Sequence, residues 1–72
     1  MQQQYEIMVK GHLAPNYSDW LGGLSISPGF DHDEPVTVLS GPLLDQAALQ
    51  GVLGTLMNMG VPLLGLRRVE PP

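Results

Sequence analysis

Polarity alternates from Tyr5 to Leu13. Tyr5, Ile7, Val9, Gly11 and Leu13 fall on one side of an extended chain, and Glu6, Met8, Lys10 and His12 on the other. A period of two predicts a strand with one buried face. Pro15 and Asn16 break it, and Tyr17 to Leu21 reads as one short helical turn opened by Asn16 or Ser18. Tyr17, Trp20 and Leu21 would then plug one end of a small core. Gly22 and Gly23 release the chain into a short strand, Leu24 to Ser27, with Leu24 and Ile26 inward. Pro28 to Pro35, with its prolines, glycine and acids, reads as a polar loop. Val36 to Gly41 is β-branched and alternating, and both of its sides are apolar: Thr37 and Leu39 on one, Val36 and Val38 on the other.

The period then changes. Leu49, Val52, Leu53 and Leu56 follow an i, i+3, i+4, i+7 spacing, which predicts an amphipathic helix. Asp45 stands where an N-cap carboxylate would accept from the first free amides. Gly60 and Pro62 stand where a helix stops. Gly51 and Gly54 each cost the helix about 1 kcal/mol against Ala, so they either permit close packing or merely weaken it. Leu63 to Val69 reads as a last strand, ended by Pro71 and Pro72.

The order β, short α, β, β, α, β predicts an α+β fold with a four-stranded, mostly antiparallel sheet and one long helix on one face. If the aromatic turn is a crossover, the plan is a reduced ferredoxin-like sheet with strand order 4-1-3-2. The connector Ala14 to Gly23 is close to the ~10–12-residue minimum for a crossover. If it merely folds back, a β-β-β-α-β meander results. Residues 1–72 are expected to form one domain, with 1–4 and 70–72 as flexible ends.

Composition narrows the function classes. Seventy-two residues bury only about 60% of their unfolded surface, so the core needs reinforcement. With no cysteine, neither a disulfide nor a thiolate metal site can supply it, which leaves self-association. Three basic residues, Lys10, Arg67 and Arg68, stand against seven acids, for a net charge of -4. That argues against a nucleic-acid partner, which demands a concentrated basic surface. No apolar run reaches the ~18 residues of a membrane span. The opening Met-Gln-Gln-Gln-Tyr-Glu is unlike a secretory signal, so a cytoplasmic setting is expected.

Several segments together carry a resemblance: Tyr5-Glu6-Ile7 with Gly11-His12-Leu13, Ser18 to Leu24, Val38 to Pro42, Asp45 to Leu53, and Leu63-Leu64 with Arg68-Val69. They resemble a group of small uncharacterised, hypothetical bacterial proteins of about this length. Members of that group usually carry Phe where this chain has Leu21. The resemblance implies a compact single domain and brings no activity or catalytic residue with it.

Candidate chemistry is sparse. Asp31-His32-Asp33-Glu34 has the residue types of a divalent-metal site, but its spacing fits no ligand motif and it reads as a solvated loop. His12 lacks an accompanying nucleophile or acid, and Ser25, Ser27 and Ser40 lack a base. Gly22-Gly23 precedes a strand and is no phosphate loop. Trp20 and Tyr17 read as core rather than as a stacking platform. Arg67 and Arg68 suit solvent or a surface ion pair. No catalytic residue, metal or cofactor is expected.

The positive expectation concerns the sheet's second face, since one helix covers only one side. Strict alternation puts Met8, Lys10, His12, Ser25, Ser27, Val36, Val38, Leu63, Gly65, Arg67 and Val69 there, an apolar content that invites a cover. The expected function is a non-catalytic interaction or regulatory module, homodimeric through that face or a strand edge, or docked on a larger protein. The interface residues are Met8, Lys10, His12, Val36, Val38, Leu63, Arg67 and Val69. The alternatives are a dimeric ferredoxin-like domain that binds a small ligand beside Met8, His12, Val38 and Arg67, or a minimal enzyme with His12 as acid or base.

Overall fold

The computed structural model describes residues 3–70. Along the chain it forms β1 (Gln3–Lys10), a 3-10 helix (Pro15–Leu21), β2 (Ser25–Asp31), β3 (Glu34–Leu43), α1 (Gln46–Asn58) and β4 (Leu63–Val69). The alternating strand β1 sits inside the sheet. Tyr5, Ile7 and Val9 are buried beneath the helices, and both backbone edges of the strand are paired. The sheet order is β2-β3-β1-β4 with every neighbouring pair antiparallel. Read from the other edge this is 4-1-3-2. The meander is excluded, because β1 pairs with β3 and β4 and not with β2.

Ile7 faces Leu39 on one side and Leu66 on the other, and Leu39 in turn faces Ile26. Leu49, Val52 and Leu56 of α1 close over Ile7 and Leu39, joined by Leu21 and Leu24, to make the core. Leu53 is only half-buried at its margin. The molecule is 18 Å across its shortest axis, which accommodates one sheet and one layer of helix.

Both ends of α1 follow the local chemistry. The Asp45 carboxylate accepts from the Ala48 amide at 2.8 Å. At the other end Gly60 takes φ +74, its amide donates to Met57, and the Val61 amide reaches back to Leu56. This reciprocal pair closes the last turn and leads Val61 back to the core. Gly51 and Gly54 have open space where a side chain would stand, so close packing does not account for them.

Several local expectations are corrected. Pro28 to Pro35 is not a loop. β2 runs to Asp31, β3 begins at Glu34, and only His32 and Asp33 turn between them. Both have positive φ, 50° and 68°, as a type I′ hairpin turn requires. The 3-10 helix has Pro15 in its first turn and no side-chain cap; Ser18 instead donates its hydroxyl to the Leu24 carbonyl at 2.7 Å. Trp20 is no plug. It is 68% exposed and tilts against the half-buried Tyr17, three residues earlier on the same side of the helix, while Leu21 alone is fully buried.

Two departures from alternation set the later geometry. Gly11 adopts φ +88, which ends β1 at Lys10 and turns the chain over the helix-bearing face. Fully buried Thr37 pins that turn, donating its hydroxyl to the Gly11 carbonyl at 2.6 Å and accepting from the Leu13 amide at 3.0 Å. In β4 the register with β1 shifts between Met8 and Val9, so that Gly65 faces Met8 but Leu63 faces Val9. One extra β4 residue, Leu64, sits in this bulge. Of the expected flexible ends, Gln3 and Gln4 belong to β1, while 1–2 and 71–72 lie outside the described residues.

Candidate functional site

The ladder defines the face that α1 leaves bare. Met8 faces Val38 and Gly65, Glu6 faces Ser40 and Arg67, Lys10 faces Val36, and Gln4 faces Val69. Val36 and Val38 face Gly29 and Ser27 of β2. Of the expected interface residues, Met8, Lys10, Val36, Val38, Arg67 and Val69 therefore share this surface. His12 and Leu63 do not.

Each displacement has a backbone cause. Past Gly11 the strand has ended, and His12 is carried round the edge. Its Nε2 lies 2.9 Å from the Gly29 carbonyl, and its ring stands edge-on to Phe30 at 5.1 Å between centroids. Leu63 goes to the opposite side because the bulge inverts the alternation. Leu64 takes its place. This leucine lines two shallow depressions on the bare face, of about 330 and about 300 Å³.

Gly65, with open space where a side chain would stand, lines the larger depression. Around it stand Met8, Val38 and Leu64, with Glu6 and Arg67 at the rim. Glu6 and Arg67 form an ion pair at 3.0 Å across β1 and β4. The smaller depression lies toward the hairpin tip among Lys10, Asp31, His32, Glu34, Val36 and Leu64. Val36 is only 4% exposed, although it lies apart from the main core. The surface thus has an apolar centre, Met8, Val38 and Leu64, inside a rim of charged residues and serines. Protein interfaces are built in this way.

The histidine and serines that the sequence offered as candidate chemistry do not meet there. Ser25, Ser27 and Ser40 share the bare face, but His12 lies on the other side of the sheet. Among the described residues no three His, Asp or Glu converge on a point that could hold a metal ion. His32 and Asp31 approach to 3.6 Å at the exposed hairpin tip. No buried polar side-chain atom among the described residues lacks a partner, and no helix is long and apolar enough to cross a membrane.

The edge of the sheet at β4 belongs to the same region. Leu63, Leu64 and Leu66 are 50%, 50% and 45% exposed, the first and last on the helix-bearing side, where α1 does not reach. Alternation alone did not single out Leu64 and Leu66. The signal was present in Leu63-Leu64-Gly65-Leu66, an apolar run with no polar alternate, which a strand buried on one side does not need.

Compared with known proteins, the chain matches one family model, described as a domain of unknown function (DUF8691), over residues 4–67, and it belongs to that family. No curated protein and no solved structure matches it.

Proposed function

We propose that this member of a family without an assigned function is a small non-catalytic interaction module that associates with itself through the sheet face left open by α1 or through the free edge at β4. Its architecture reads as a reduced ferredoxin-like plan in which the 3-10 helix stands for the first crossover helix. The observation that carries the reading is the uncovered apolar centre of Met8, Val38 and Leu64, continuous with the half-exposed leucines of β4.

The magnitudes favour a modest dimer. Full burial of a leucine contributes about 1.5–3 kcal/mol, so covering the remaining half of each β4 leucine contributes roughly 1 kcal/mol. Six such side chains in two copies supply about 5–9 kcal/mol against association costs of ~4–15 kcal/mol. Backbone pairing and packing over Met8 must add to this for the dimer to persist at about micromolar concentration. Light scattering coupled to size exclusion, run through a dilution series around that concentration, tests the reading. The expected result is a dimer that dissociates on dilution while circular dichroism stays native. A folded wild-type monomer at every concentration overturns it.

A further inference from the structure

The backbone of β4 says which groups lack partners. The Lys10 amide donates to the Pro62 carbonyl, and the Gly11 amide to the Pro35 carbonyl. Even-numbered residues of β1 therefore direct their amides and carbonyls at β4, and odd-numbered ones at β3. Gly65 and Arg67, opposite Met8 and Glu6, turn inward to meet them. By alternation, Leu66 and Arg68 present their amides and carbonyls to the free edge. An extended chain satisfies such a row of groups, and an edge of this kind is a template for strand addition.

Resting on the self-association reading above, we propose that the occupant is β4 of a second copy, antiparallel across a two-fold axis at Leu66, which makes one eight-stranded sheet from two of four. The edge matches itself in this register. Leu66 meets the partner's Leu66 and exchanges both backbone bonds with it. Gly65 faces the partner's Arg67, whose stem lies over the depression beside Met8. Arg67 already has Glu6, and Arg68 has Glu70, bound through Nε at 3.1 Å, so each cation enters with its own counter-charge. Centring the pair on Arg67 would set two arginines directly opposite, and centring it on Leu64 would place Leu66 against Pro62, which has no amide to give. The other edge cannot serve as the acceptor. β2 carries Pro28 in mid-strand and Asp31 at its end, so head-to-tail growth of β4 onto β2 is blocked and the assembly closes at two.

The chain has no cysteine, so a single introduced one reports its own position. Leu66→Cys, Val38→Cys and Ser27→Cys are oxidised under conditions in which wild type is dimeric. Residues facing each other across an antiparallel pair lie within disulfide reach, so covalent dimer should form about tenfold faster from Leu66→Cys than from either other variant. Faster linkage through Val38→Cys or Ser27→Cys, with wild type dimeric, overturns the β4 pairing and leaves self-association standing. A wild type that is monomeric throughout overturns both. If Leu66→Cys fails to fold, hydrogen exchange on wild type decides. Leu66 and Arg68 amides as protected in the dimer as those of Gly65 and Arg67 support the pairing; exchange as fast as in the monomer overturns it.

Discussion

β2 and β4 are the two outer strands of one sheet, each with a single paired neighbour, yet their unpaired sides are protected in different ways. Ser18 is tied to the start of β2 through the Leu24 carbonyl, and His12 is tied to its middle through Gly29, so the segment between β1 and β2 straps that end of the sheet. Its edge is also blunted by Pro28. β4 has the ladder to β1 and an exposed ion pair that crosses to it, Arg67 with Glu6. Leucine emerges from both of its faces, and no proline stands within the strand. The difference originates in where the two helices go. The 3-10 helix and α1 lie together over β1, β2 and β3, and the strand that follows α1 receives no cover from it. Edges of the same sheet can thus be closed to pairing or open to it according to how the connections are placed.

Substitutions at paired positions should separate the two sides. Leu39→Ala, beneath the strapped half, removes a fully buried side chain and should cost about 2–5 kcal/mol in urea unfolding. Leu66→Ala, in the equivalent row of β4, should cost about 1 kcal/mol in the monomer, because the leucine is already half in water. Equal costs would mean that β4 is covered after all. Thr37→Val leaves the Gly11 carbonyl and the Leu13 amide without their partner, at about 1–3 kcal/mol. Amide exchange should rise at Leu13 and hold steady across β4; a rise in β4 would show that the strap supports both edges. The smallest effect belongs to Arg67→Ala, below about 0.5 kcal/mol in unfolding, since a solvent-exposed pair contributes little.

The core half of this picture was legible in the sequence. The alternation of β1, the Asp45 cap and the Leu49–Val52–Leu56 stripe each follow a period that burial enforces, and the structure keeps them. The misread positions are those where the backbone, not the pattern, decides. Pro28 and Gly29 resemble loop residues in composition, but in an outer strand a missing amide can face solvent, and pairing with β3 holds them extended. His32 and Asp33 make the tight turn without the glycine that would have announced it. At Gly11 one positive φ removes His12 from the bare face. At Leu64 one supernumerary residue inverts the leucines, and no polarity pattern records it, because Leu63 and Leu64 are identical in type.

That bulge also gives the chain slack. Since Gly65 to Val69 are already aligned with Met8 to Gln4, losing one of the adjoining leucines would straighten the entry to β4 without dragging Arg67 off Glu6. The distance from the end of α1 to the sheet can therefore absorb a one-residue shortening, and homologues that differ there in length by one would still assemble the same outer border.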